Sequence, residues 1–324
     1  MTGPAARWEL LRALGAVAGD PADARAACVP LGLPAPGNAE HTEVFVLNCP
    51  PYAAVYLGPD GGLGGDAADR VAGFWRAIGV APPAEPDHLT ALLSLYASLG
   101  EAAAGARAAA TRGALARARR ALFWEHLWPW LPAYLEAVAA LADTAPALAA
   151  WAGLAWRAVL AERAGHPGGR LPLALRAAPP PLSADCAPSP LSPDCAPSPL
   201  SPDCAPRGLP HWDLAAVLTT PIRSGLILTR RRLAAGADEA GAGHRIGERR
   251  FTLRAMLEQA PAGTLRWLHG EAGRWAGRHA AAARGGAGLP GRDAVQDWWA
   301  DRARRTEAAL RAAAAAGPGP APAG

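Results

Sequence analysis

Residues 85–100 read EPDHLTALLSLYASLG, and this stretch decides the fold class. Its large apolar residues recur at spacings of three and four, which places them on one face of a helix: Leu89, Leu92, Leu93, Tyr96 and Leu99. Pro86 and Asp87 are typical of a helix start, with Asp87 as a natural N-cap, and Gly100 is typical of a helix end. The stretch predicts an amphipathic helix that opens after Asp87 and closes at Gly100.

Helical spacing returns along most of the chain. Apolar stripes of this kind cover residues 8–18, 71–78, 115–128 and 148–159, and they resume at 253–275. The one strand-like run, 43–47, is too short and isolated to indicate a sheet. We therefore predict an all-α protein, a helical bundle followed by a linker and a C-terminal helical extension.

A Pro-rich tract interrupts the helices. Residues 183–209 hold one nine-residue unit three times, as SADCAPSPL, SPDCAPSPL and SPDCAPRGL. Pro at this density cannot continue a helix, and too few large apolar residues remain to offset the cost of ordering the segment. We predict a helical domain over 1–165, a disordered linker over 166–209, a basic helical region over 210–316 and a disordered tail over 317–324.

The cysteines do not indicate a cross-linked or metal-binding protein. Five Cys are an odd number, and Cys186, Cys195 and Cys204 stand nine residues apart inside the tract. Structural zinc ligands usually pair two to four residues apart. We predict neither a disulfide framework nor a metal site.

Charge is distributed unevenly along the chain. Up to Leu209 there are 15 Arg and 18 acidic residues, a net charge of −3, and beyond it 17 Arg and 10 acidic residues, a net charge of +7. Between Pro36 and Gly100 seven acidic residues meet only Arg70 and Arg76. Such an acidic segment favours a cationic partner.

Membrane insertion and secretion are both disfavoured by the sequence. No apolar run reaches the roughly 18 residues of a membrane-spanning helix without meeting Arg, Asp, Pro or Gly. The first residues lack a basic segment followed by an apolar one, so no secretory signal is visible. We expect a cytoplasmic protein without membrane insertion.

Two clusters could carry a function. In the first, Glu85, Asp87 and His88 either start a helix or project together as two carboxylates and a titratable donor for a cationic ligand. In the second, FWEHLWPWLP at 123–132, the aromatic side chains either fill a core or line a groove, with Trp128 and Trp130, for an apolar peptide.

A catalytic set is missing from the sequence. No Ser stands in a Gly-x-Ser-x-Gly turn, the glycines at 61–65 lack a following Lys-Ser/Thr, and no His-x-x-x-His pair occurs. We therefore predict that the protein is not an enzyme and holds no permanent cofactor.

Five segments, in this order, resemble the TorD/DmsD/NarJ family of cytoplasmic chaperones for molybdenum-containing oxidoreductases. They are HTEVF at 41–45, PPYAAVYL at 50–57, GD at 65–66 with FWRAIG at 74–79, EPDHL at 85–89, and FWEHLWPWLP at 123–132. The resemblance covers roughly residues 40–160. Several motifs in the same order are more specific than either cluster alone.

The resemblance implies an all-α chaperone that is not an enzyme. It implies binding of the twin-arginine signal peptide, the apo form, or both, of a molybdopterin oxidoreductase catalytic subunit until the cofactor is inserted, with at most a transient contact to that molybdopterin cofactor. The peptide-binding residues carried over or placed beside them are Glu85, Asp87, His88, Tyr96, His126, Trp128 and Trp130. Carboxylates beside an apolar groove suit an Arg pair followed by an apolar stretch. A homodimer is left open.

The basic C-terminal part of the sequence supports an alternative interpretation. Arg223, the triplet at 230–232, Arg245, Arg249 and Arg250 could contact phosphates of nucleic acid, which would make the protein a nucleic-acid-binding regulator. No reading helix accompanies them, and charge excess alone has no specificity, so a solvated Arg-rich face is the favoured interpretation.

Overall fold

The structure is a computed structural model, and it describes residues 4–166, 168–182, 211–243, 247–284 and 293–316. Within these ranges the regular elements are sixteen α-helices and two π-helices. The predicted all-α class is confirmed. None of the helices in this part of the chain is long and apolar enough to cross a membrane.

The chain divides into two compact units. Unit 1 comprises Met1–Ala178 and Gly285–Val295, and unit 2 comprises Pro179–Arg284 and Gln296–Gly324. Unit 1 contains α1 (Pro4–Val17), α2 (Pro21–Leu31), α3 (Asn38–His41), π1 (Thr42–Asn48), α4 (Ala53–Leu57), α5 (Gly65–Ala77), α6 (Leu89–Gly105), α7 (Ala109–Ala121), π2 (Leu122–Leu127), α8 (Leu131–Ala139), α9 (Pro146–Ala164) and α10 (Leu173–Arg176). The later helices are α11 (His211–Leu218), α12 (Pro221–Ser224), α13 (Arg230–Ala240), α14 (Arg249–Gln259), α15 (Pro261–Arg284) and α16 (Ala294–Ala316), all of unit 2 except the first two residues of α16.

Part of the predicted linker is folded. Residues 168–182 contain α10, and Ala174 and Leu175 are buried. A hydrogen bond 2.7 Å long, from the Leu173 N–H to the Glu125 carboxylate, joins this segment to π2. The remaining linker residues, 183–209 with the three repeats and their cysteines, and the tail at 317–324 lie outside the described residues.

The helix that decided the fold class runs further than predicted. α6 begins at Leu89 as expected, but it ends at Gly105 and not at Gly100. A Cβ at Gly100 would lie 2.5 Å from the Trp8 ring. Gly100 is therefore a contact position, where the missing side chain lets the Trp8 indole of α1 pack against α6.

Unit 1 buries most residues of the predicted stripes in α1, α6 and α9, whereas α7 has no buried residue. α1 packs on α2 and α6, α6 packs on α7, and α8 packs on α9. Large aromatic rings meet at the centre, where Tyr56 stacks on Trp130 with ring centroids 5.3 Å apart and also contacts Tyr134. Tyr134 in turn contacts Trp151, which is fully buried. This aromatic core fixes α4, α8 and α9 around the segment that holds the second cluster.

Two π-helices interrupt the α-helical pattern of unit 1. The strand-like run at 43–47 is helical, because it forms most of π1, which closes with a 2.7 Å bond from the Cys49 N–H to the Val44 carbonyl. In π2 the Trp128 N–H bonds to the Phe123 carbonyl over 2.8 Å. Both bonds span five residues, so each turn holds one residue more than an α-turn.

Unit 2 has an apolar core of its own. Leu253, Met256 and Leu257 of α14 are buried, as the predicted stripe requires. The His279 imidazole stacks on Trp299 at 5.7 Å and donates through Nε2 to the Gly225 carbonyl over 3.1 Å. Since His279 is used inside this core, we assign it no ligand.

Candidate functional site

The first cluster lies at the junction between α4, α5 and α6. Glu85 is exposed, and its carboxylate accepts a 2.9 Å bond from the Tyr52 hydroxyl. The Pro86 carbonyl accepts a 3.2 Å bond from the Trp75 indole of α5. Burial and the neighbouring Glu85 raise the pKa of Tyr52 to about 12, so this hydroxyl keeps its proton at neutral pH.

Asp87 is a buried structural group. Its carboxylate accepts a 2.9 Å bond from the Ala54 N–H, and its carbonyl accepts a bond from the Ala53 N–H. Asp87 therefore caps α4, a different helix from α6, which the sequence had predicted it to cap. Burial raises the pKa of this carboxyl, and the Ala54 N–H opposes that rise. With an exposed fraction of 3%, Asp87 offers almost no surface to an incoming peptide.

His88 caps α6 in place of Asp87. Its Nδ1 accepts the Thr90 N–H over 3.2 Å, and its ring contacts Tyr52 with centroids 4.7 Å apart. Burial lowers the pKa of the imidazole, which keeps Nδ1 free of a proton and able to accept. The structure thus brings Glu85, Asp87 and His88 together, but only Glu85 presents its charge to solvent.

Trp128 and Trp130 belong to the core. Trp128 is 1% exposed, stacks on Phe123 and donates its indole N–H to the Asp293 carboxylate over 3.2 Å. The same carboxylate pairs with Arg163 at 2.9 Å. Trp130 is fully buried and donates to the His126 carbonyl over 2.8 Å. In this conformation the two indoles form core contacts and do not line a groove.

Tyr96 is the centre of a buried polar network. Its hydroxyl lies 2.6 Å from the Glu162 carboxylate and 2.6 Å from His166 Nε2. Because the hydroxyl proton goes to the carboxylate, His166 must donate from Nε2, and its Nδ1 has no partner among the described residues. Arg7 pairs with the same Glu162. Burial and nearby Arg119 lower the pKa of His166 to about 4, so the imidazole stays neutral.

A cavity of about 440 Å³ opens beside this core. It is formed by α4, α5, the end of π2 and α10. Most of its walls are apolar, and the polar groups are two Arg, one Glu and one His. The lining residues are Ala53, Leu57, Ala67, Arg70, Val71, Gly73, Phe74, Ala77, Glu125, His126, Leu173, Ala174 and Arg176.

His126 is the one predicted site residue that lines the cavity. It is half-buried, and its ring lies 5.1 Å from that of Phe74. Burial, with a smaller effect of the Arg70 charge, lowers the pKa of His126 to about 4. At neutral pH the imidazole is therefore uncharged, and it presents an apolar ring edge with one donor and one acceptor.

Comparison with known families identifies one match. Residues 37–136 match the family described as nitrate reductase delta subunit. That family consists of chaperones for molybdoenzyme maturation, so the match supports the resemblance drawn from the motifs at a coarse level. The delta-subunit match covers about a third of the chain. Searches of curated proteins and of solved structures gave no match.

The delta-subunit match includes both clusters and every cavity residue up to His126. The residues of α10 lie beyond it. One wall of the cavity is therefore supplied by a part of the chain outside the matched family.

Sequence reasoning missed three polar residues of the cavity, Arg70, Glu125 and Arg176. Glu125 stood inside the aromatic cluster and Arg70 in the stripe of α5, and neither was singled out. Glu125 directly precedes His126, and Arg70 is four residues before Phe74, so helical spacing on the pocket face could have found both.

Some basic residues of the alternative interpretation are engaged within unit 2, Arg232 and Arg249 among them. Arg232 forms ion pairs with Glu239 and Glu271. Arg249 donates to the Leu228 carbonyl. Arg245 lies outside the described residues. Over the described ranges, no group of three His, Cys, Asp or Glu could hold a metal ion.

Proposed function

We propose that this protein is a chaperone for the catalytic subunit of a molybdopterin oxidoreductase. It binds the signal peptide or the apo form of that subunit in the cytoplasm and assists insertion of the molybdopterin cofactor, which it contacts only transiently. It holds no cofactor of its own and performs no catalysis. The observation that carries the proposal is the delta-subunit match over α4, α5 and π2, which form most of the cavity.

The cavity has the chemistry of a peptide site. Its volume of about 440 Å³ lies within the range of roughly 300–1,000 Å³ found for ligand pockets. Leu57, Val71 and Phe74 give it an apolar wall, and exposed Asp66 lies one turn before Arg70 on α5. An apolar stretch that follows an Arg pair could therefore place its apolar residues inside and its charges towards exposed carboxylates, Asp66 and Glu85.

The experiment is a pull-down of the tagged full chain from cells that express it, with mass spectrometry of the captured proteins. We expect a molybdenum oxidoreductase catalytic subunit among them. The blocking variant is Gly73→Trp. Gly73 lines the cavity, and a Cβ there meets nothing within 4 Å, so a large side chain has room to enter. Loss of the oxidoreductase with this variant supports the cavity as the site.

Two other outcomes contradict the proposal. Capture of nuclease-sensitive nucleic acid without any oxidoreductase would favour the regulator. If the Gly73→Trp variant captures the oxidoreductase as well as the wild type does, the cavity is excluded as the binding site. The homodimer stays a prediction, to be tested by light scattering of the purified protein.

A further inference from the structure

The short helix α10 rests against the cavity as a peptide would. Residues Leu173, Ala174 and Arg176 line it together with α5 and π2. Two hydrogen bonds tie the segment down at its start: the Leu173 N–H donates to the Glu125 carboxylate over 2.7 Å, and the Arg170 carbonyl accepts the Trp124 indole N–H over 2.9 Å.

The helix α10 is short, and only part of it is buried. It has four residues and no side-chain cap, and Leu173, its first residue, is 49% exposed. The large apolar side chain of Leu173 is therefore only partly removed from water, whereas Ala174 and Leu175 are buried. The charge-assisted bond to Glu125 adds to this burial in holding the segment.

We propose that residues 171–176 occupy the client site from within the chain, and that an apolar client segment displaces them and takes over the Glu125 carboxylate. This inference rests on the proposed function, and it identifies residues 171–176 as the segment that competes with the client for the same site. The segment LPLALR shows the chemistry that the site accepts: apolar side chains on the cavity wall and a free backbone N–H directed at Glu125.

The charge of the cavity determines which part of the client peptide can enter it. Arg70 lines the cavity, and among the described residues no ion pair or hydrogen bond engages its guanidinium. Arg176 of α10 also lines the cavity, and it leaves together with α10. A client guanidinium that took its place would meet the charge of Arg70. The apolar stretch of the client, and not its Arg pair, therefore replaces α10, and the Arg pair remains outside near Asp66.

Leu173→Pro tests the competition with little disturbance of the backbone. Proline removes the N–H that bonds to Glu125, while position 173 is the first residue of α10, where proline is well tolerated. Pro172 already has φ −51° and ψ 147°, the extended conformation required before a proline. Leu173→Ala is the matched control, because it removes the leucine side chain but keeps the N–H.

The measurement is fluorescence anisotropy with a labelled synthetic peptide, an Arg pair followed by Leu and Ala residues. Loss of the bond from the Leu173 N–H to Glu125 weakens only the attachment of residues 171–176 to the cavity. We therefore expect Leu173→Pro to bind this peptide about five- to tenfold more tightly than Leu173→Ala. Adding Gly73→Trp to either variant should abolish binding. Melting curves confirm that every variant is folded.

Equal affinity of Leu173→Pro and Leu173→Ala, absence of binding by both, or binding that survives Gly73→Trp would each overturn the inference. Its failure is distinct from failure of the proposed function. If the wild-type chain captures an oxidoreductase but the two variants bind the peptide equally, the function stands and the competition is wrong. If the peptide effects appear but no oxidoreductase is captured, the site stands and the client is wrong.

Discussion

At the scale of single residues, the carboxylates of the first cluster have different roles. Asp87 is buried against α4, whereas Glu85 is exposed, and its carboxylate accepts a bond from the Tyr52 hydroxyl. A motif that looks uniform in sequence therefore contains one structural carboxylate and one that a ligand can reach.

The first prediction concerns Asp87. We expect Asp87→Asn to cost less than about 1 kcal/mol of unfolding free energy, because the amide oxygen can still accept the Ala54 N–H. Asp87→Ala leaves that N–H without its acceptor and should cost about 1–3 kcal/mol. Urea denaturation measures both. Loss of client binding in Asp87→Asn at unchanged stability would instead make the carboxylate a peptide contact.

The second prediction concerns Tyr96. Tyr96→Phe removes the hydroxyl that bonds to both Glu162 and His166, so we expect a loss of about 1–3 kcal/mol in unfolding free energy. Client affinity should be unchanged, since Tyr96 is 1% exposed. Isothermal titration with the signal peptide, beside a urea curve, separates the effects. A weaker complex with unchanged stability contradicts the core assignment.

At the scale of helices, α6 gives a steric prediction. Gly100→Ala would place a Cβ 2.5 Å from the Trp8 ring, so the contact between α1 and α6 must shift, at a cost of about 1–3 kcal/mol. Gly73→Ala in α5 is the control. Its Cβ meets nothing within 4 Å, and it should stabilise the helix by about 0.5–1 kcal/mol.

Melting temperatures of the two glycine variants should move in opposite directions. A Gly100→Ala protein as stable as the wild type would show that Trp8 can move aside at no cost. The close approach of α1 to α6 would then not depend on glycine at that position.

Most of the helices could be predicted because their apolar residues keep a fixed spacing. The stripes of α1, α6, α9 and α14 coincide with buried residues. What spacing could not supply is the partner of each residue. Glycine is typical of a helix end. At Gly100 it lies inside α6 instead, and the Trp8 indole packed against it explains why this position has no side chain.

The site was predictable in part for the same reason. Sequence motifs singled out His126, which lines the cavity. The side-chain directions of Trp128 and Trp130 depend on the extra residue in π2 and on Asp293, which is distant in sequence. Glu125 gains its place in the cavity through the Leu173 N–H, a contact between segments that no local pattern reveals.

At the scale of the whole molecule, stability should depend on pH through buried imidazoles. Burial lowers the pKa of His126 to about 4 in the folded chain, against about 6.5 for a free histidine side chain. Between these values the unfolded chain binds the proton more tightly. The contribution of the neutral imidazole is therefore full above about pH 6.5 and is lost as the pH falls towards 4.

His126→Phe isolates this contribution. We expect the variant to lose less unfolding free energy than the wild type on acidification from pH 7 to pH 5, by at most about 1.4 kcal/mol per pH unit below 6.5. Urea denaturation at both pH values gives the difference. Equal losses of unfolding free energy in the wild type and in His126→Phe would mean that folding does not shift the pKa of His126.

The π-turn between Leu122 and Leu127 has a consequence for how the gene can change in length. An in-frame deletion of one codon there removes the additional residue of the bulge, and the segments on either side can keep their orientation. The same deletion in the middle of α6 turns every later side chain of that helix by about 100°. Among natural length variants, single-codon losses should therefore accumulate at the two π-turns and be rare within α6.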